Sequence, residues 1–142
     1  MSDRFFLDTN IFIYSVEVAR SAKRERSTAL IAEGLRSGKG TISYQVIQEF
    51  FNVAFRRLNP RMTFAEAEQQ LAWTFSPMLT VQSSPLLFGE ALMLSRRYSL
   101  LWYDSLIVAA AVESKCEILY SEDLQDGQSF GDLQIVNPFK AR

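Results

Sequence analysis

The sequence predicts an α/β fold of three layers, with helices on both faces of a mostly parallel central sheet, and three observations predict it. Short β-rich apolar runs alternate with longer stretches of helical period, the breakers between them are brief, and two of the apolar runs end on acidic residues. Such alternation is the order of a parallel sheet covered by helices. With 142 residues, 48% of them hydrophobic and 11 of them Phe, the chain can bury one sizeable core. A single domain over residues 1–142 is therefore expected.

Taken in order, residues 4–8 read as an extended strand, 23–36 as a helix, 41–43 as a strand and 44–58 as a second helix. Residues 64–75 and 86–98 read as helices on either side of a short strand at 79–82. A helix at 104–114 and strands at 117–121 and 133–136 close the pattern. Punctuation is local: Gly38-Lys39-Gly40, Asn59-Pro60 and Asp126-Gly127 break the chain without forming a linker. No repeat or low-complexity stretch interrupts it.

Composition excludes several chemistries. There is no histidine, which removes Ser-His-Asp triads, Cys-His dyads, histidine zinc sites and histidine acid/base ribonuclease chemistry. Hydrolysis would have to rely on carboxylates, metal, lysine or hydroxyls. The single cysteine, Cys116, has no partner for an internal disulfide. The apolar run at residues 106–112 falls far short of the roughly 20 residues that span a bilayer, so no membrane association and a cytoplasmic location are expected. A net charge of −1 gives no whole-chain attraction to nucleic acid.

Four acids stand out by position. Asp8 ends the first apolar strand, where open parallel sheets place their sites; it and Asn10 would serve equally well to make a turn or cap a helix. Glu49 lies on a narrow polar stripe with Gln45, Asn52 and Arg56, flanked by Val46, Ile47, Phe50 and Phe51, so the stripe lines either a cleft or solvent. Asp104 opens a helix so apolar that it must cross the core, a place where an acid also favours the helix dipole by about 1 kcal/mol. Asp123 follows a second apolar strand, Ile118-Leu119-Tyr120, on the same sheet edge as Asp8. Glu122 and Asp126 are close by, either assisting or solvated.

Four carboxylates about 5 Å apart would repel by roughly 3 kcal/mol per pair at an effective dielectric near 20. Protonation or a divalent cation must relieve that, and all-oxygen ligands favour Mg2+ or Mn2+. Such an ion supports phosphodiester hydrolysis and lets a polyanion approach. Lys23, Arg24 and Arg56 are candidate contacts for the flanking phosphates, although surface helices carry such residues routinely.

Four segments, Phe6-Leu7-Asp8-Thr9-Asn10, residues 43–51 with Glu49, Tyr103-Asp104-Ser105-Leu106-Ile107 and Ser121-Glu122-Asp123, together resemble the PIN domain, and most closely its VapC-like toxins. The resemblance covers essentially the whole chain. It implies a metal-dependent endoribonuclease whose Asp8, Glu49, Asp104 and Asp123 bind Mg2+ or Mn2+, with Asn10 and Ser121 in support. It further implies an RNA substrate, a small antitoxin as partner, a homodimer, and the role of toxin in a type II toxin-antitoxin pair. Two other readings stand beside it. A magnesium phosphohydrolase of the haloacid dehalogenase type would want a second Asp where Asn10 stands, and a PIN-fold binding module without cleavage would have little reason to keep all four acids.

Overall fold

In the computed structural model, which describes residues 3–141, the apolar run after Arg4 becomes strand β1 (Phe5–Leu7). Residues 1, 2 and 142 of the expected domain lie outside the described residues. Five further strands follow: β2 (Gly40–Ser43), β3 (Leu79–Val81), β4 (Ile118–Tyr120), β5 (Ser129–Phe130) and β6 (Leu133–Val136). They form one sheet in the order β3-β2-β1-β4-β6-β5, parallel throughout except for the β5–β6 pair. β1 is central and covered on both faces, so Phe6 and Leu7 are both fully buried, as a doubly covered parallel strand requires.

The chain builds outward from β1 through β2 to β3, then crosses back to place β4 on the other side of β1. That reversal makes the β1/β4 boundary the switch point, where adjacent strands leave in opposite directions and open a crevice at their carboxyl ends. Right-handed crossovers put the helices before β3 on one face and those between β3 and β4 on the other. The expected α/β architecture with helices over a mostly parallel sheet is what the chain adopts.

The helices are α1 (Thr9–Val16), α2 (Ala22–Ser37), α3 (Tyr44–Arg56), α4 (Phe64–Gln69), α5 (Ser76–Met78), α6 (Pro85–Tyr98) and α7 (Trp102–Glu113), with a π-helical turn at Gln70–Phe75. Helix α1 is an element that the sequence pattern of residues 9–22 does not predict. Its β-branched and aromatic residues have weak helix propensity, and burial of Ile11 and Phe12 in the core decides the outcome. The helix expected over 64–75 is α-helical only to Gln69. Beyond it the turn widens, with Ser76 N–H donating to the Leu71 carbonyl ahead of Pro77, which has no N–H to give. Phe75 is thereby buried against Phe12 and Phe50, ring centroids 5.0 Å away in both cases, while Trp73 faces solvent.

Two features hold α2 to the sheet. Gly38, at φ 73°, ends the helix in the left-handed conformation that glycine adopts without strain. Gly34 on α2 and Gly40 on β2 meet backbone to backbone, and a Cβ on Gly40 would stand 2.6 Å from the Gly34 Cα. No helix among the described residues is long and apolar enough to cross a membrane.

Candidate active site

The site forms at the switch point. Asp8 is the first residue after β1 and Ser121 the first after β4, and the parallel register, Leu7 opposite Tyr120, sets them side by side. Ser121 Oγ donates to Asp8 Oδ2 at 2.8 Å, and the Thr9 amide donates to Asp8 Oδ1 at 2.7 Å. Asp8 therefore caps α1, as the turn-or-cap reading expects, and does so at the carboxyl end of β1. The same Ser121 hydroxyl accepts from the amides of Asp123 at 3.2 Å and Leu124 at 3.3 Å, turning the chain so that Asp123 comes toward α1. There Asn10 Nδ2 donates to Asp123 Oδ2 at 3.1 Å.

Glu49 arrives from the second turn of α3. Thr9 Oγ1 donates to Glu49 Oε1 at 2.8 Å, so one residue binds Asp8 through its amide and Glu49 through its hydroxyl. Gln45, one turn earlier on α3 and buried, extends Nε2 to the Tyr103 carbonyl at 3.1 Å and toward Glu49 Oε2 at 3.5 Å. It ties the Glu49 helix to the first turn of α7, which carries Asp104. That helix begins at Trp102 with Leu101 as its cap, and Asp104 sits inside the first turn, so capping does not account for it. Thr9 and Gln45 are the supporting residues the sequence reading did not assign. Thr9 adjoins Asp8, but nothing in the sequence shows that its hydroxyl reaches a residue 40 positions away.

Electrostatics couple the four acids. Loss of water around Asp8 pushes its pKa up to about 7 against the hydrogen bonds from Ser121 and Thr9, and the charges of Asp123 and Glu49 add to the rise. Asp104 is raised by desolvation and by the same two neighbours, Asp123 and Glu49. Asp123, at the exposed rim, is raised by desolvation and then by Glu122. Among the described residues no Lys or Arg makes an ion pair with Asp8, Glu49, Asp104 or Asp123.

That donor set fits a hard divalent cation: carboxylates without histidine or thiolate, mutually repelling and uncompensated. Two buried polar atoms near the same sheet edge, Ser43 Oγ and Gln45 Oε1, also have no protein partner. Among the described residues no group of three or more Asp, Glu or Cys side chains stands placed to hold a metal ion as it is. The other expected residues form no ion pair with the four. Lys23 is ion-paired to Glu122 at 2.9 Å, Arg24 donates to the Val18 carbonyl at 3.1 Å, and Arg56 is exposed in the last turn of α3. Glu122 also accepts from the Tyr14 hydroxyl, and Asp126 accepts from the Asn137 amide at 2.8 Å.

Solved structures of similar fold include a toxin-antitoxin complex from Klebsiella pneumoniae, at 17% identity over 96% of this chain and 98% of that one, with a TM-score of 0.66. FitAcB from Neisseria gonorrhoeae matches at 16% identity over 96% of this chain and 99% of that one, TM-score 0.64. The sarcin-ricin loop cleaving toxin VapC20 from Mycobacterium tuberculosis matches at 17% identity over 82% and 88%, TM-score 0.62. No curated relative matches the chain in sequence. The PIN domain matches residues 5–125, a span that takes in all four acids, every helix and all strands but the last two, and on that match the chain belongs to the PIN domain family.

Proposed function

We propose that this protein is a metal-dependent endoribonuclease that hydrolyses RNA phosphodiester bonds in the cytoplasm, with Mg2+ or Mn2+ held by Asp8, Glu49, Asp104 and Asp123. The observation that carries the reading is the acid cluster at the switch point: Asp8, Asp104 and Asp123 are all pushed upward in pKa, and among the described residues no basic side chain forms an ion pair with them. Bound there, the ion would neutralise the cluster, polarise a phosphoryl oxygen and acidify a bound water.

The chain's own residues prepare the donors. Ser121 and the Thr9 amide fix both oxygens of Asp8, the Thr9 hydroxyl holds Glu49, and Asn10 holds Asp123, so each donor is oriented before the ligand arrives, and drawing them together around it is the step that remains. Half-buried Arg24 and exposed Arg56 would meet flanking phosphates. The position at which a haloacid dehalogenase-type phosphohydrolase needs an acid is occupied by Asn10, already engaged as a donor.

The role of toxin in a toxin-antitoxin pair is supported by the similar structures, one a toxin-antitoxin complex and one an RNA-cleaving toxin, and by apolar surface without a covering element. Val18, Phe64 and Trp73 are exposed beside α1 and α4, where an apolar segment of an antitoxin would lie. Leu86, Leu92 and Met93 are exposed on α6, where a second copy would pack to give a homodimer.

Purified protein is expected to cleave RNA with Mg2+ or Mn2+, to stop when a chelator is added, and to lose cleavage in Asp8→Asn and Asp104→Asn variants that keep their circular dichroism. Cleavage that survives both substitutions rejects the reading, and so does a folded wild type inert on every RNA, which leaves a binding module.

A further inference from the structure

Beside the acid cluster lies a second cluster that the proposed chemistry does not use. Glu122 accepts from the Tyr14 hydroxyl and from Lys23 Nζ at 2.9 Å. The Lys23 ammonium also reaches the Tyr14 oxygen at 3.4 Å, and lies 5.0 Å from the Tyr14 ring centre and 5.5 Å from that of Phe139. The two rings meet edge to face at 5.3 Å and 89°. A cation held by a carboxylate and two aromatic faces is fixed more firmly than either contact alone would make it.

Its placement gives the cluster a purpose. Tyr14 follows Asn10 by four residues, hence on the same face of α1 one turn on, and Asn10 is the donor to Asp123. Helix α1 thus grips two consecutive residues of the loop after β4, Asp123 through Asn10 and Glu122 through Tyr14. A partly exposed ion pair such as Lys23–Glu122 adds little to global stability. It does restrict a short loop, and here the loop carries the one acid of the four that stands at the exposed rim.

The fourth member comes from beyond the segment that matches the family, residues 5–125. After β6, Asn137 turns the chain: its amide donates to Asp126 at 2.8 Å and its side chain accepts from the Phe139 amide at 3.0 Å. Arg26 reaches the Pro138 carbonyl at 3.4 Å. Phe139 is thereby delivered against Tyr14 and Lys23.

We infer that Tyr14, Lys23, Glu122 and Phe139 form a brace that positions Asp123, with the C-terminal segment as its outer wall. Lys23 is then a positioning residue rather than a contact for RNA phosphate, and the inference rests on the reading of Asp123 as a metal ligand.

The test uses the full chain and two readouts besides cleavage: Mn2+ affinity by calorimetry, and amide hydrogen exchange at Asp123 and Leu124 in the metal-free protein. Tyr14→Phe, which keeps the ring and removes the hydroxyl, and Lys23→Met are expected to weaken Mn2+ about tenfold, the size of effect typical of residues that orient ligands. Exchange at Asp123 and Leu124 should quicken severalfold while β1 stays protected, and Lys23→Arg should restore most of both. Unchanged affinity and exchange overturn the brace. Faster exchange spread evenly over the domain overturns it too, since that marks general loosening. Weakened RNA binding in Lys23→Met with both readouts unmoved would return Lys23 to the substrate. An Asp123→Asn variant separates the two claims: if it leaves Mn2+ affinity intact, the metal reading of Asp123 fails, whatever the brace does to the loop.

Discussion

Protein around Asp8 removes the water its carboxylate would need when charged, and the two hydrogen bonds from Thr9 and Ser121 return only part of that solvation. An acid whose folded-state pKa lies above its unfolded value binds a proton more tightly when folded. Folding is then favoured by the proton, and rising pH works against the fold between the ordinary value of 3.8 and about 7. Metal-free wild type is therefore expected to lose melting temperature between about pH 4 and about pH 7, relative to an Asp8→Asn variant, which carries no charge to desolvate. At neutral pH the variant should melt higher by about 3 °C, with Mn2+ affinity largely gone. Parallel melting curves for the two proteins across that range would contradict the origin of the shift. If Asp8 is a metal ligand, the ion displaces this proton, and binding should release close to one proton per ion below about pH 7 and fewer above it.

Elements differ in how far they could be read beforehand. Strands β1, β4 and β6 and helices α2, α3, α6 and α7 were legible because their apolar periods are long or their breakers sharp, and so was the order of the four acids along the chain. Helix α1 was not, since Ile11-Phe12-Ile13-Tyr14 has the composition of a strand and becomes helical only through tertiary burial. With α1 unassigned, the reach of Thr9 to Glu49 and of Tyr14 to Glu122 was invisible. The two-residue β5 carries too little pattern to register. The Gly34–Gly40 contact was legible only as a turn signal, yet it sets how closely α2 lies on β2. Gly40→Ala is expected to destabilise the protein by about 1–3 kcal/mol, because backbone rather than a flexible side chain must move. An unchanged midpoint in urea would show that α2 can back away freely.

For the molecule as a whole, the site draws on four segments far apart in sequence, and no one of them holds more than a fraction of it. Asp8 and Ser121 are 113 positions apart and share a hydrogen bond through the parallel register of β1 and β4. Sheet topology is thus the device that assembles the chemistry, whereas the helices carry the surface. The exposed row on α6 predicts a dimer by light scattering that Leu92→Arg converts to a folded monomer with unchanged circular dichroism. A wild type that is monomeric at high concentration would remove the case for self-association there.

The two outermost strands shape how copies can meet. β3 has three residues between Pro77 and Pro85, and β5 has only two, so neither rim of the sheet offers a run of free amides and carbonyls long enough to template another chain. Crowded solutions of this protein should consequently form discrete particles of fixed stoichiometry through helix-to-helix contact, and stay free of the ribbon-like polymers that open sheet borders nucleate.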